Sequence, residues 1–421
     1  MELTEIALII MIEVVVVMCL LFFSLAVIRR LYNARKYRLL DILRKKYLSL
    51  LYNYINAENP ITRSMDPFQA QPGSKKWIAI EDNLFLFSLI NDAKYYDVAC
   101  QLFEQLGYVD YYIKALKGRN VIVLATAIFK LGRMDSPRSA KPLLTMLEFD
   151  NRDILAATVR ALSKIGDASV LLQLITKLPE LLNKSLITKK TINSSLVAGG
   201  PRMTPILLKY GETCKDPRMI ASLLEVLSAL PVNREVYDFA VSHLGHPDAE
   251  VRTNAVKVIE PCEKALGILH KDVLLPLLKD PIWFIRLWAV RTLGSQQRKE
   301  NAQAIASLVL DDKWQVRNAA VMALTLLGEG AIDTFLTLLK SNDQYARESV
   351  CEEIQKTYFV DLLLELLAKG REDNAAEKAL KILTIMANYG FLSPLKEFVA
   401  TSKDPIRTDE INLIIAGATA L

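Results

Sequence analysis

The sequence predicts an all-α fold: an α-solenoid of antiparallel helix pairs preceded by one transmembrane helix. Two observations set the class. Hydrophobic residues make up 52% of the 421-residue chain, while glycine and proline number only 16 each. Alternation with a period of two is nowhere sustained, so the apolar residues read as helix faces rather than strands. The third observation is repetition. DPIWFIRLWAVRTLG, beginning at Asp280, is echoed by HPDAEVRTNAVKVI at His246, DDKWQVRNAAVMALTLLG at Asp311 and SNDQYARESVCEEI at Ser341. Each copy has a polar start, an arginine about six residues on, and then small and branched apolar residues. The arginines are Arg252, Arg286, Arg317 and Arg347, spaced at the two-helix period of a solenoid.

Within the Asp280 copy each residue has an expected job. Asp280 is expected to cap the helix, with Pro281 in its first turn. Ile285, Trp288, Ala289 and Leu293 recur at helical spacing, and Gly294 is expected to end the helix in the left-handed conformation.

The chain opens on Ile6–Ile28, a 23-residue apolar run whose one charge is Glu13. At about 1.5 Å per residue it can cross a bilayer core of roughly 30 Å. The residues before it are acidic and Arg29-Arg30 follow without a small-x-small site, which argues against a cleaved signal peptide. Basic residues flank membrane spans on the cytoplasmic side. The expectation is a single-pass anchor in the cell membrane, N-terminus outside and solenoid in the cytoplasm. Glu13 has two readings: snorkelling toward the outer interface, or an intramembrane contact with a partner helix, beside Val14–Val17.

Residues 29–56 read as a basic amphipathic juxtamembrane helix, with Leu39, Leu43, Leu50 and Tyr54 on its apolar stripe and Tyr47 beside them. Arg29, Arg30, Arg35, Lys36, Arg38, Arg44, Lys45 and Lys46 are its candidate membrane- or lipid-contacting residues. Pro60, Pro67, Pro72 and Gly73 mark a linker over 57–76. The solenoid then occupies 77–421, after an anchor at 1–28. Its first helices, rich in aromatics, read as a terminal cap. The last helix (INLIIAGATAL) is too apolar for a free end and is expected to fold inward or be covered.

Residues 1–46 hold +4 of the net +5, which leaves the solenoid nearly neutral and gives no support for nucleic-acid binding. Five scattered cysteines without a C-x-x-C pair read as buried free thiols in a reducing compartment.

The repeated D-P-x-x-x-x-R and Leu-Gly pattern resembles HEAT repeats, in particular the short bacterial type named after phycobilisome lyases. It is strongest over 216–356 and extends over about 84–421. The resemblance implies a right-handed superhelix with an aspartate–arginine ladder. Here that would join Asp280 with Arg286, and Asp311 or Asp312 with Arg317, and reach neighbouring repeats. Ser222 and Ala156 stand where earlier repeats would carry arginine, so the ladder is expected to be incomplete there. A membrane anchor on such repeats also resembles bacterial proteins that accompany glycosyltransferases in polysaccharide export.

No nucleotide-binding or nucleophile motif is legible, and no carboxylate pair stands out. His243, His246, Cys262 and His270 lack a zinc frame, and His246 stands where Asp280 stands in its own repeat. No catalytic residue, metal or cofactor is expected. The expected function is a non-enzymatic scaffold or adaptor for a protein partner, within a membrane complex. The candidate partner-binding residues are Trp283 and Arg286 in one repeat and Trp314 and Arg317 in the next, each tryptophan three positions before its arginine. Two alternatives stand beside it: a HEAT-fold enzyme (tetrapyrrole lyase or DNA glycosylase-like) and an anionic-lipid surface sensor.

Overall fold

The computed structural model describes residues 3–57, 64–90, 92–267, 271–368, 374–402 and 405–419. Only helices, turns and irregular segments occur among them. The chain divides into two compact segments, Met1–Thr188 and Lys189–Leu421.

The N-terminal segment holds α1 (Leu3–Asn56), α2 (Lys75–Phe87), α3 (Ala93–Gln105), α4 (Tyr108–Ala115), α5 (Val121–Met134), α6 (Ala140–Thr145), α7 (Arg152–Ile165) and α8 (Ala168–Asn183). The anchor and the juxtamembrane helix expected from the sequence are one unbroken helix of 54 residues, α1, about 80 Å long. Nothing between residues 28 and 40 breaks it: the stretch contains no Gly or Pro. Leu40, Tyr47, Leu51 and Ile55 are buried, and α1 packs on α2. The buried row is thus displaced from the expected stripe, and Leu39 is exposed. The physical reason is that protein, not a surface of lipid headgroups, covers this face. In the expected linker, Asp66–Phe68 forms a short 3-10 turn whose buried Phe68 meets the edge of Tyr54 at 5.5 Å.

Ionic contacts tie this layer together. Arg44 donates through Nε and Nη2 to Asp82 on α2, at 2.9 and 2.7 Å. Lys130 on α5 donates to buried Glu81 at 2.6 Å and to the Tyr112 hydroxyl at 2.7 Å. Arg133 stacks over the Phe85 ring at 4.2 Å.

The C-terminal segment comprises α9 (Lys189–Ala198), α10 (Met203–Gly211), α11 (Pro217–Ser228), α12 (Arg234–Ser242), α13 (Ala249–Leu266), α14 (Lys271–Leu274), α15 (Trp283–Ser295), α16 (Ala302–Ala306), α17 (Trp314–Thr325), α18 (Ile332–Leu339), α19 (Gln344–Lys356), α20 (Phe359–Ala368), α21 (Asn374–Asn388), α22 (Ser393–Thr401) and α23 (Pro405–Thr419). Helices α11, α13, α15, α17 and α19 pack each on the next, one per repeat. Each of the last four buries the same triplet at i, i+4 and i+8: Val251, Ala255, Ile259; Ile285, Ala289, Leu293; Val316, Ala320, Leu324; Ala346, Val350, Ile354. In the first three the middle residue is alanine, which lets neighbouring helices approach while the flanking residues fill the space at its ends; in α19 the small residue is Ala346 instead. Trp288 is not part of that core row. It lies at its edge, half-buried, between the Lys257 ammonium at 4.9 Å and the Arg291 guanidinium at 5.4 Å.

Two expectations for the Asp280 copy need correction. Helix α15 starts at Trp283, and Asp280 is not its cap residue. Gly294 lies inside α15, where a Cβ would come 2.5 Å from the Ala323 Cβ and 2.7 Å from its Cα. Glycine is needed there because α17 crosses at that point. Gly132 has the same relation to Ala161, at 2.9 Å between Cβ positions. In this copy the left-handed residue is Gln297, with φ +53°, and in the next copy it is Gly328, with φ +56°.

At the end of the chain, α23 turns Ile411 inward while Ile406 and Leu413 stay exposed. Of the cysteines, Cys262 and Cys351 are buried, Cys100 and Cys214 part-buried, and Cys19 exposed on α1; all are free thiols.

Candidate functional site

The repeated arginines build one continuous feature. The first residue of each copy accepts the backbone N–H two positions on: Asp248 N to His246 Nδ1 at 3.0 Å, Ile282 N to Asp280 Oδ1 at 2.9 Å, Lys313 N to Asp311 Oδ1 at 2.9 Å, and Asp343 N to Ser341 Oγ at 3.2 Å. Six residues later the arginine returns and donates Nη1 to the carbonyl of that first residue. His246, Asp280 and Asp311 accept at 2.8, 2.9 and 2.8 Å, and Ser341 accepts from Arg347 in the same way. This pins each guanidinium against the loop before its own helix. His246 therefore does the structural work of Asp280. Among the described residues no group of three or more His, Cys, Asp or Glu is placed to hold a metal ion; His270 lies outside them.

With Nη1 engaged, the remaining edge of the guanidinium faces the next repeat. Arg252 donates Nε and Nη2 to Asp280 at 2.8 and 3.0 Å. Arg286 does the same to Asp311 at 2.6 and 2.7 Å, and Nη2 also reaches Asp312 at 2.7 Å. The carboxylate pairs therefore run from one repeat to the next. The expected pairing of Asp280 with Arg286 inside one repeat is made through the Asp280 carbonyl, not its carboxylate. Similarly, Arg317 takes the Asp311 carbonyl, while the Asp311 carboxylate belongs to Arg286.

These pairs are buried: the side chains of Arg286 and Asp311 are 12% and 5% exposed. The Asp311 hydrogen bonds hold the Arg286 guanidinium above its ordinary pKa. For Asp311 burial pushes the carboxyl upward, but the bonds from Arg286 and from the Lys313 N–H outweigh it and bring it below the usual aspartate value.

The ladder stops at Arg317. The next repeat offers Ser341 where its predecessors offer aspartate, and the Arg317 Nε is buried with no hydrogen-bond partner. The neighbouring side chain is Tyr345, whose ring centroid lies 5.8 Å from the guanidinium. At the N-terminal end, buried Ser222 stands where the arginine would be, as expected.

The four candidate partner-binding residues thus separate. Trp283 and Trp314 are the first residues of α15 and α17. Trp283 is half-buried and meets the edge of Phe284 at 5.8 Å. Trp314 is 60% exposed and Tyr345 70%. Arg286 is fully engaged in the ladder, which fixes it as a structural group; Arg317 is not. The sequence reading passed over Ser341, whose mismatch with Asp280 and Asp311 was its available signal. It also missed a trough of about 510 Å³ lined by Met322, Leu326, Lys356, Tyr358, Phe359 and Leu362. No spacing rule marks that trough, because it lies where α17, α19 and α20 end or begin.

On α1, Glu13 is exposed, as are Arg29, Arg30, Arg35, Lys36, Arg38, Lys45 and Lys46. Arg44 differs, being held by Asp82 and by Asp41 at 2.9 Å.

Residues 109–183, 237–325 and 271–355 match the family model described as HEAT repeats. The chain is a HEAT-repeat solenoid. Solved structures similar to this HEAT-repeat chain include one on Kap95p binding to RanGDP, at 14% identity and TM-score 0.40, covering 87% of this chain and 59% of that one. Another is a Kap121p mutant, at 14% identity and TM-score 0.38, covering 91% and 53%. The HEAT-repeat chain therefore spans somewhat over half the length of these two. No curated protein matches its sequence.

Proposed function

We propose that this HEAT-repeat chain is a non-enzymatic, membrane-anchored scaffold that binds a protein partner within a membrane complex. The observation that carries the reading is the surface of α1. From Val14 to Leu31 its large apolar side chains are exposed on every side, whereas the same helix packs into the N-terminal segment from Leu40 on. One helix long and apolar enough to cross a membrane is the feature that calls for a bilayer around it. Arg29, Arg30, Arg35, Lys36 and Arg38 follow the apolar stretch and lie exposed, which suits the cytoplasmic headgroup layer. The solenoid then lies in the cytoplasm and the N-terminus outside. The sequence resemblance adds a glycosyltransferase-based polysaccharide export system as the assembly to test first.

Three measurements test this. Alkaline carbonate extraction of membranes should leave the full chain in the pellet; its release would remove the anchor. Protease applied to intact spheroplasts should reach an N-terminal tag and spare a C-terminal one. The reverse pattern would overturn the topology. Crosslinking in membranes followed by detergent purification should recover a defined membrane partner, and recovery of the chain alone would sink the assembly reading.

A further inference from the structure

We infer that the guanidinium of Arg317, with Trp314 and Tyr345 beside it, is a docking slot for the carboxylates of an acidic segment of a partner protein. The inference rests on the scaffold reading and adds the chemistry of what is bound. The molecule itself displays the ligand this slot takes. In two consecutive repeats an arginine pinned by a carbonyl six residues back receives a carboxylate on Nε and Nη2: Arg252 from Asp280, and Arg286 from Asp311. Arg317 is pinned in the same way to the Asp311 carbonyl at 2.8 Å. The residue that would supply its carboxylate is Ser341, too short and uncharged, and Nε is left buried without a hydrogen bond.

The surroundings favour an anion with an apolar neighbour. Asp312 is drawn to Arg286 and Lys313, at 2.7 and 3.3 Å. The Asp343 carboxylate caps α19 by accepting from Ala346 N at 2.9 Å. Neither is paired with Arg317. Trp314 lies three residues before Arg317, on the same helix face, and the Tyr345 ring centroid lies 5.8 Å from the guanidinium; both rings are mostly exposed. Tyr345 is 70% exposed, so its ring can turn aside at little packing cost to admit a ligand beside the guanidinium. A bidentate carboxylate between two aromatic side chains is the composition of a binding hot spot.

The test uses the full chain in a nonionic detergent and a fluorescein-labelled peptide of Asp and Glu around a central Leu. An Asn/Gln peptide of the same length is the control. Anisotropy should show salt-sensitive binding of the acidic peptide alone. Arg317→Ala should weaken it about tenfold or more, the usual worth of a charged hydrogen-bond pair. The decisive variant is Ser341→Asp, which supplies the missing carboxylate from within. It should lose binding to a similar degree while melting no lower than the wild type; Ser341→Ala should keep binding. If Ser341→Asp binds as well as the wild type, or if single-stranded nucleic acid is bound in preference to the acidic peptide, the inference is overturned. Failure here with a membrane partner still recovered by crosslinking would refute the slot and leave the scaffold reading standing.

Discussion

Arg286 and Asp311, 25 residues apart in sequence, are joined across two repeats by a pair of hydrogen bonds of 2.6 and 2.7 Å. Both side chains are nearly excluded from water. Asp311→Ala leaves the arginine buried beside an uncharged methyl group. Breaking a buried pair from one side costs on the order of 3 kcal/mol, far more than an exposed pair would. The expected outcome is a marked loss of hydrogen-exchange protection in α15 and α17, with α2 and α5 unaffected. Equal protection in wild type and variant would show that the pair contributes nothing.

The same pair sets a pH dependence. The folded Asp311 carboxyl lies below the usual aspartate value, so the unfolded chain takes up its proton first as pH falls. The contribution to stability is complete above about 3.9, the ordinary aspartate pKa, and is lost as pH falls through the lower folded value. Protection of α15 and α17 should therefore decline as pH falls below about 3.9. In Asp311→Asn that part of the decline should be absent.

Gly294→Ala places two effects in opposition. Helix propensity favours alanine by about 1 kcal/mol. Against it, the new Cβ would come 2.7 Å from the Ala323 Cα, a backbone atom that cannot swing aside. Overpacking of this kind costs about 1–3 kcal/mol, so the net change should be destabilising. Gly132→Ala should behave alike against Ala161. Thermal melts of both variants above the wild type would contradict the close crossing.

Thiol chemistry gives an independent check on burial. Burial pushes the Cys262 and Cys351 thiols up to about 12, and Cys100 to about 11. The reactive thiolate is thus scarce at neutral pH. Alkylation of the native chain at pH near 7, followed by mass spectrometry, should leave Cys262 and Cys351 unmodified. Both should react fully in denaturant. Rapid native labelling of Cys351 would mean that α19 is not packed as described.

The sequence carried the repeat but not its register in space. Apolar periodicity located Ile285, Ala289 and Leu293 because helical spacing is a local property. It could not say which aspartate Arg286 would hold: Asp280 and Asp311 are equivalent letters in successive copies, and only the stacking of helices decides. The same gap explains Gly294. A glycine after leucine near a helix end reads as a stop, and the need for closeness to Ala323 is invisible until α17 is in place. Along α1 the pattern between residues 39 and 55 showed an amphipathic helix without showing what covers it. The covering partner, α2, displaced the buried row to Leu40, Tyr47, Leu51 and Ile55. Trp314 and Trp283 occupy matching positions, yet only Trp314 is mostly exposed, since burial depends on neighbours that the repeat does not copy.

Helix α1 has no joint between Glu13 and the residues that pack on α2. It therefore acts as a shaft, and the compass bearing of Glu13 is fixed relative to the N-terminal segment. Each residue of helix advances the bearing by about 100° and the height by about 1.5 Å. Deleting one residue between Arg30 and Leu39 would leave every side chain of the apolar stretch intact and still point Glu13 a quarter-turn or more away. A neighbour that grips the Glu13 side of the shaft would thereby aim the solenoid start, and a single-residue deletion would misdirect it.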